Sequence, residues 1–317
     1  KKTVITLAEN TINTLTDEEN YEYSVTEVDE TTGETTGEPN AALFSKKALT
    51  INGKGTLNVT TNFNNGIGCK DELKIISGKV NVTAVNNAIR GNDCVVIKDG
   101  EINAVSKSGD GIKSTKENND QKGYVYVDGG NVNVTAYEDG LQAVTLLAVA
   151  GGEVSISADD DGMHCDKILA ISGGTINITK SYEGIEATVI NISGGKTYVK
   201  ASDDGLNATV GNNTSNSNER FGGFGGSGGS MQYQEACQVN ISGGYLYVDA
   251  SGDGLDSNGD LTISGGVAIV NGPTNGGNGS LDANGTIYAN GGFLAAAGSN
   301  GMAEYPTGTS TQNVIII

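Results

Sequence analysis

The sequence has no tryptophan, one histidine, three prolines and four cysteines among 317 residues, and aromatic residues make up 5% of it. No apolar run of 18 residues occurs, so the sequence predicts no membrane-spanning helix. Four cysteines without a Cys-x-x-Cys pair argue against a disulfide scaffold and leave zinc or thiol redox chemistry unsupported. Phosphate-loop, dinucleotide-binding and heptad patterns are also missing, which argues against nucleotide-binding and coiled-coil proteins.

Positive charge is scarce as well. Nineteen lysines and arginines stand against 38 aspartates and glutamates, which gives a net charge of -19 and an isoelectric point near 4.3. Such a chain repels the phosphates of nucleic acid and of anionic membranes. We therefore expect neither nucleic acid nor an inserted membrane among its partners.

Glycine, by contrast, is abundant, and pairs of glycine recur after an Ile-x-Ile-Ser pattern. The Gly-Gly marks lie at Gly130, Gly152, Gly174, Gly195, Gly244, Gly266 and Gly292, with steps of 22, 22, 21, 49, 22 and 26 residues. A step close to 22 indicates one supersecondary unit that is repeated, with an insertion inside the step of 49. The chain is therefore predicted to be a solenoid.

Each repeat contains short alternating segments, such as Val132-Asn133-Val134 and Ile176-Asn177-Ile178. A period of two is typical of strands, and a coil that turns three times needs the left-handed conformations that glycine adopts at little cost. Stacked coils bury one another's apolar positions. We predict an all-β fold, a single-stranded parallel β-helix of about ten coils, present as one domain and as a monomer.

The predicted domain covers residues 1–317. Residues 1–40 supply an N-terminal strand, Thr3 to Leu7, which we expect to begin the first coil, and an acidic excursion that we interpret as a solvated loop rather than a calcium loop. Repeats occupy residues 41–304, a flexible glycine-rich loop with Phe-Gly-Gly repeats occupies 211–236, and residues 305–317 form a tail.

The cysteines fit inward positions of the coils. Cys69 and Cys165 stand where other coils have Ala143, Ala187 and Ala208, so buried free thiols are expected. Cys69 and Cys94 are one coil apart and form the only pair whose spacing permits a bridge, which we do not predict.

An acidic residue precedes the glycine of the Asp-Gly-aliphatic turn in most coils. This column contains Asp110, Asp139, Asp161, Glu183, Asp204 and Asp253, and the position before it adds Glu138, Asp160 and Asp203. A second outward column, two residues past the glycine, contains Lys113, Gln142, His164, Glu186, Asn207, Asp256 and Asp282. Strands of successive coils stack roughly 4.8 Å apart, and carboxylates at that spacing repel by about 1 kcal/mol per pair even in water.

A hard divalent cation would remove this repulsion, and Ca²⁺ is the predicted cofactor. The candidate ligands are Asp139, Asp160, Asp161, Glu183, Glu186, Asp203, Asp204, Asp253 and Asp256. The best predicted set is Asp204 with Asp253 and Asp256; a second joins Asp161 to Glu183 and Glu186, and a third joins Asp139, Asp160 and Asp161 to His164. In the alternative interpretation, aspartate before glycine is turn chemistry that caps its own backbone amides in every coil.

His164 is otherwise interpreted as a surface residue, because no nucleophile elbow on a strand–turn–helix pattern accompanies it. Three tyrosines near the inserted loop, Tyr198, Tyr245 and Tyr247, are predicted to face outward. Aromatic rings stack on sugar rings, so these residues are candidates for carbohydrate binding, although tyrosine is also a good strand residue.

Four segments and the Phe-Gly-Gly loop carry a recognisable pattern: Ala48-Leu49-Thr50-Ile51-Asn52-Gly53, Lys70-Asp71-Glu72-Leu73-Lys74-Ile75, Val95-Val96-Ile97-Lys98-Asp99-Gly100 and Asp110-Gly111-Ile112-Lys113-Ser114. On these motifs the chain resembles the secreted clostridial-type carbohydrate-binding β-helix proteins, from about Ala41 to Gly301. The resemblance implies a right-handed parallel β-helix similar to polysaccharide lyases, especially family 9 pectate lyases. It also implies calcium, held in those lyases among aspartates of adjacent coils, and plant cell-wall polysaccharides that include acidic pectin.

We therefore expect a secreted, calcium-dependent protein that binds plant cell-wall polysaccharide, with acidic pectin or polygalacturonate as the first candidate and cellulose as the second. No catalytic lysine can be assigned by motif, which favours binding without cleavage. Two alternatives stay open. One is a lyase whose base is among Lys113, Lys180 and Lys200; the other is an adhesin or stalk that uses calcium for rigidity alone.

Overall fold

The computed structural model describes residues 2–21, 24–28, 35–210, 233–307 and 309–317. Within these ranges the chain is an all-strand solenoid of about ten turns, with parallel strands and no helix. This confirms the predicted parallel β-solenoid. Every coil supplies three faces: face 1 follows the Asp-Gly turn, face 2 comes next, and face 3 follows the Gly-Gly turn.

The strands divide among the faces by their parallel register. Face 1 contains Ala41–Ser45, Asn65–Cys69, Ile89–Gly91, Ile112–Ser114, Leu141–Ala143, the start of Met163–Ile171, the start of Ile185–Ile192, Leu206–Ala208, Leu255–Ser257 and Leu281–Ala283. Face 2 contains Thr3–Leu7, Leu49–Gly53, Glu72–Ile75, Cys94–Ile97, Tyr124–Val127, Leu146–Val149, the ends of Met163–Ile171 and Ile185–Ile192, and the starts of Gln238–Ala250, Asp260–Asn271 and Ile287–Ala297. Face 3 contains Ile12–Thr16, Thr56–Thr60, Lys79–Ala84, Glu101–Ser106, Asn131–Ala136, Glu153–Ala158, Thr175–Lys180, Lys196–Ala201 and the ends of the last three strands of face 2.

The core is a set of apolar columns that run along the solenoid. Because side chains alternate along a strand, each short strand points its first and third residues inward. Ile112, Leu141 and Met163 occupy equivalent positions of neighbouring coils and are all fully buried. Removing one such side chain down to alanine typically costs about 2–5 kcal/mol, so the stacked columns hold successive coils in register.

The second glycine of each Gly-Gly mark makes the corner between faces 2 and 3. Gly174 has a φ of 81°, and a Cβ atom there would stand 2.9 Å from the carbonyl carbon of Gly151 in the coil before it. Both the backbone conformation and the close approach of the coils exclude a side chain at this corner. The repeated motif thus encodes a turn that only glycine makes without strain.

The solenoid begins before the predicted start of the repeats at residue 41. Thr3–Leu7 pairs in parallel with Leu49–Gly53, and Ile12–Thr16 joins the stack on face 3. The acidic excursion that follows contains an antiparallel hairpin of Val25–Val28 with Thr35–Glu38. Both strands between residues 3 and 16 are therefore part of the stack, and the excursion leaves it after them.

The far end of the solenoid is covered by the predicted tail. The backbone amide of Thr307 donates to the carbonyl of Ile287 at 3.3 Å, and that of Gln312 donates to the carbonyl of Ala289 at 3.0 Å. The predicted glycine-rich loop, 211–236, falls mainly on 211–232, which lie outside the described residues. This insertion separates face 1 from face 2 of a single coil, since Leu206–Ala208 precedes it and Gln238–Ala250 follows it.

All four cysteines are free and buried, as expected from their inward positions. In the part of the chain that the structure describes, no helix is long and apolar enough to cross a bilayer.

Candidate functional site

A continuous strip of polar side chains runs along the outward surface of face 1. The strand register places Arg90, Lys113, Gln142, His164, Glu186, Asn207, Asp256 and Asp282 in one column, each from the next coil. The acidic residues that precede the glycine of each Asp-Gly-aliphatic turn form the neighbouring column. The face 1 strip, as we call these two columns, therefore brings together the residues that the sequence placed in two columns.

The corner aspartates form a ladder between coils. The backbone amide of Asp139 donates to Oδ1 of Asp110 at 3.1 Å, and that of Asp161 donates to Oδ1 of Asp139 at 3.2 Å. Further along, the amide of Asp253 donates to Oδ1 of Asp204 at 2.6 Å. Each carboxylate thus caps an amide of the next coil rather than its own backbone, which corrects the turn interpretation of the sequence. One carboxylate oxygen is used by this ladder, and the second oxygen is left for other contacts.

The first cluster of ligand atoms joins Asp139, Asp161 and His164, with one atom from each within 4.8 Å of the others. His164 Nδ1 lies 3.0 Å from Oδ2 of Asp161, and Nε2 lies 3.5 Å from Oδ1 of Asp166. Burial lowers the pKa of His164, but the hydrogen bonds to Asp161 and Asp166 outweigh it and raise the pKa well above its ordinary value. His164 therefore lies half-buried in the outward column, where the sequence placed it, and beside Asp139 and Asp161 of the third predicted set.

The second cluster consists of oxygen ligands alone. Asp161, Glu183 and Glu186 each bring a carboxylate oxygen within 4.8 Å of the others. Burial and the neighbouring carboxyl group of Glu186 raise the pKa of Glu183 to about 11. At neutral pH and without a cation, this cluster therefore retains a proton, since crowded buried carboxylates cannot all be ionised. A hard cation with oxygen preference fits this donor set.

Two amide oxygens lie beside these clusters without a donor. Oε1 of Gln142 and Oδ1 of Asn207 are buried, and neither has a hydrogen-bond partner. Gln142 neighbours His164 in the strip, and Asn207 neighbours Glu186. A buried acceptor without a donor costs about 1–3 kcal/mol, and amide oxygens are good ligands for a hard cation. The residues of the second cluster therefore fit a bound Ca²⁺.

The set that the sequence ranked first is arranged less tightly. Among the described residues, Asp204, Asp253 and Asp256 do not bring three ligand atoms within 4.8 Å of one another, whereas the two clusters above do. These three carboxyls still form an acidic neighbourhood, because burial, followed by neighbouring carboxylates, raises their pKa values to about 7, 6 and 8 respectively. Asp282 of the next coil contributes to the charge around Asp256.

The last two predicted ligands lie outside both clusters. Asp160 is exposed, and its charge contributes to the raised pKa of Asp139. Asp203 accepts a hydrogen bond from the hydroxyl of Tyr182, which raises the pKa of that tyrosine. Both side chains lie at the rim of the face 1 strip.

The three predicted tyrosines lie together on face 3. Tyr198 belongs to the coil of Glu186, and Tyr245 and Tyr247 belong to the next coil. The ring centroids of Tyr198 and Tyr245 are 5.7 Å apart, and Tyr247 is the register partner of Tyr198 in the next coil. Beside them is an open groove of about 550 Å³ lined by Thr175, Asn177, Ile178, Thr179, Tyr198, Val199, Lys200, Tyr247 and Asp249. Tyrosine rings next to hydroxyl and amide groups offer both stacking and hydrogen bonding to a sugar.

The sequence alone gives no role to Gln142 and Asn207. Both are members of the outward column, so their positions were visible, but amides resemble ordinary surface residues in a sequence. Only the burial of their oxygens and the lack of a donor mark them as part of the site.

Comparisons with known proteins identify the family of the chain. A family model described as carbohydrate-binding domain-containing protein matches residues 1–205. A curated relative of the same description, from Acetivibrio thermocellus, is 35% identical over 149 residues, which are 47% of this chain and 49% of the relative. The chain thus spans about half the length of the curated relative that it matches.

A similar solved structure is described as the polysaccharide lyase-like protein from C. thermocellum, gadolinium derivative. It is 32% identical in sequence and covers 61% of this chain and 65% of its own, with a TM-score of 0.41. The family match confirms the resemblance found in the sequence, and the chain belongs to the family of carbohydrate-binding domain-containing proteins.

Proposed function

We propose that this chain is an extracellular, calcium-dependent module that binds acidic plant cell-wall polysaccharide, of the pectin or polygalacturonate type. The proposal rests on one observation. Asp161, Glu183 and Glu186 bring three carboxylate oxygens together, and they lie beside Oδ1 of Asn207, a buried amide oxygen that accepts no hydrogen bond. Such a set of carboxylate and amide oxygens is what a hard cation of the calcium type requires.

The net charge supports the same proposal. At -19 the protein repels a polyanionic glycan, so binding of a polyuronate needs local positive charge. A Ca²⁺ held by Asp161, Glu183 and Glu186 would supply that charge to a uronate carboxylate. In this proposal the three carboxylates hold the cation, and the acidic side chains of successive coils lie along one line on face 1.

The tyrosine groove on face 3 supports a contribution from sugar stacking. Tyr198 is 37% exposed, which leaves part of its ring open to a ligand. A neutral glucan such as cellulose would use this surface and would not need the cation. We therefore propose the face 1 strip for acidic glycans and the face 3 groove for stacking of sugar rings.

The proposed location outside the cell follows from the acidity and the abundance of asparagine and threonine in an elongated solenoid, together with the family resemblance. We also propose that the protein acts as a monomer, because successive coils bury their apolar columns within one chain.

The proposal is tested by titrating polygalacturonate and a soluble neutral glucan into metal-free protein, with and without Ca²⁺, in a calorimeter. Ultraviolet absorbance of the same mixtures is followed for unsaturated products. We expect calcium-dependent heat with polygalacturonate and constant absorbance.

The other outcomes point to other functions. Growing absorbance establishes a lyase that eliminates across the uronate C4–C5 bond and overturns the assignment as a binder. Calcium binding without heat from either glycan indicates a structural stalk, and binding of the neutral glucan alone overturns the acidic substrate.

A further inference from the structure

The face 1 strip changes character along the solenoid. Its later part is acidic, but two cations stand before it in the same column, Arg90 and Lys113. In the coil before Arg90, the equivalent position is Gly68, which has no side chain. Within this column, Arg90 therefore has a cation on one side and a glycine without a side chain on the other.

Arg90 is half-buried and poorly paired. Among the described residues its hydrogen-bond partner is the hydroxyl of Thr115, 3.5 Å from the guanidinium, and no carboxylate forms an ion pair with it. A guanidinium has five donors and remains charged at all physiological pH values. Partial burial lowers the pKa of Arg90, with the more distant charge of Asp110 opposing that shift. A partly desolvated cation with unused donors is poised to accept an anion.

Lys113 is held in a different way. Its Nζ lies 2.5 Å from Oδ2 of Asp110, and that carboxylate is almost fully buried. The ion pair fixes the ammonium group beside Arg90 and uses one of its three donors. Asp110 thus pairs with Lys113, and among the described residues no carboxylate forms an ion pair with Arg90.

An open groove of about 550 Å³ adjoins Lys113. It is lined by Phe63, Asn64, Val85, Asn86, Asn87, Ser108, Lys113 and Glu138. Three amides, one hydroxyl and two apolar side chains accompany Lys113, and Glu138 adds one carboxylate, which accepts hydrogen bonds from hydroxyl groups. The composition suits a ligand with many hydroxyl groups and a carboxylate, because amides bond to hydroxyls while the cation bonds to the acid.

The geometry points to Arg90 and Lys113 as a metal-independent carboxylate subsite, which binds a uronate residue of the acidic polysaccharide. This inference rests on the proposed function, and it adds the residues that distinguish free uronates from neutral or methyl-esterified sugars. Arg90 is the main contact, since a guanidinium grips a carboxylate with two parallel hydrogen bonds.

The subsite lies in line with the proposed cation cluster. Four coil steps separate Arg90 from Glu186 along the column, or about 19 Å at the usual strand spacing. A polysaccharide that runs parallel to the solenoid axis therefore meets the arginine at one end and the acidic cluster at the other. Two charged subsites along one line select a chain of uronates over a single acidic sugar.

The test measures the affinity for polygalacturonate at saturating Ca²⁺ in wild type, Arg90→Gln, Arg90→Lys and Lys113→Gln. Arg90→Gln is expected to weaken binding about tenfold, as for loss of a hydrogen-bonded charged group. Arg90→Lys is expected to retain part of the affinity, because the charge remains but the paired hydrogen bonds do not. Lys113→Gln has the smaller effect, since Lys113 is already paired with Asp110.

Lys98→Gln is the matched control, because it removes one positive charge from face 2, where Lys98 pairs with Asp128. It should leave the affinity unchanged. Fully methyl-esterified pectin should bind wild type and Arg90→Gln equally, and the Ca²⁺ isotherms of the two should coincide. Arg90→Lys keeps the test valid if Arg90→Gln unfolds.

The failures are distinguishable. If wild type binds polygalacturonate and the arginine variants bind it equally well, the subsite is wrong and the proposed function stands. If wild type with Ca²⁺ binds no polygalacturonate, the proposed function fails and the subsite fails with it.

Discussion

Asn207 donates a hydrogen bond from Nδ2 to Oε2 of Glu183 at 3.0 Å, while its own Oδ1 is buried with no donor. The NH2 group of Asn207 therefore donates to the carboxylate of Glu183, and Oδ1 of Asn207 is left beside Glu186, the register partner of Asn207 in the preceding coil. For the proposed cation, this orientation would add a neutral ligand to the three acidic ones.

Replacing Glu186 by glutamine should weaken Ca²⁺ binding at least about tenfold, or about 1.4 kcal/mol, because one charged oxygen ligand is lost. The metal-free variant should be as stable as wild type or more stable, since repulsion with Glu183 is relieved. Calorimetric Ca²⁺ titration and thermal unfolding measure the two effects. Glu153→Gln removes an exposed charge from face 3 and should change neither; equal Ca²⁺ affinity in Glu186→Gln would contradict the site.

The stability of the metal-free protein should fall as the pH rises from about 4 to 8. Burial raises the pKa of Asp253 to about 6, of Asp204 to about 7 and of Asp256 to about 8. Above the ordinary aspartate pKa, the unfolded chain has already released these protons while the folded chain retains them, so raising the pH favours unfolding.

Chemical denaturation at several pH values, with and without Ca²⁺, measures this trend. Ca²⁺ should flatten the pH dependence, because it stabilises the ionised carboxylates that protons otherwise neutralise. A metal-free protein that becomes more stable between pH 5 and 8 would show that these carboxyls are not held protonated by the fold.

Tyr198→Ala should reduce the affinity for polysaccharide by about three- to tenfold, which corresponds to about 0.5–1.5 kcal/mol of ring stacking. The change should be largest for a neutral glucan, which has no carboxylate to bind the face 1 strip. Affinity gel electrophoresis with each glycan gives the comparison. Tyr305→Ala is the matched control, since Tyr305 is half exposed and lies in the tail; an equal loss in both variants would remove the groove as a binding surface.

Gly174→Ala should destabilise the solenoid by about 1–3 kcal/mol, since the residue has a φ of 81° and the coils meet there at close range. Gly276→Ala is the matched control, because a Cβ atom at Gly276 meets nothing within 4 Å, and it should change stability by less than about 0.5 kcal/mol. Denaturant midpoints of the two variants test the role of the corner. Equal midpoints would show that the Gly-Gly corner tolerates a side chain.

Much of the architecture follows from local patterns. Alternation in segments such as Val132-Asn133-Val134 sets which side chains face inward, and the glycine spacing sets the coil length. Even the tyrosine group was predictable, because Tyr198 and Tyr247 occupy the same position of successive repeats. The N-terminal strand Thr3–Leu7 was also predicted to begin the first coil, whereas Ile12–Thr16 was not predicted, because it precedes the first complete repeat.

The sequence by itself determined a parallel solenoid with acidic columns along one face. The repeat length, the corner glycines and the alternation of apolar residues are local properties that recur in every repeat. Only the tertiary structure decided which carboxylates converge. Asp161, Glu183 and Glu186 meet closely while Asp204, Asp253 and Asp256 do so less, although both sets have the same spacing in the repeat. The ladder hydrogen bond does not make this difference, because Asp161 and Asp204 each accept from the backbone amide of the corner residue in the next coil. The carboxylates of the converging set are also held by side chains of neighbouring coils, as in the hydrogen bond from Asn207 to Glu183, and such contacts form across coils rather than along the chain.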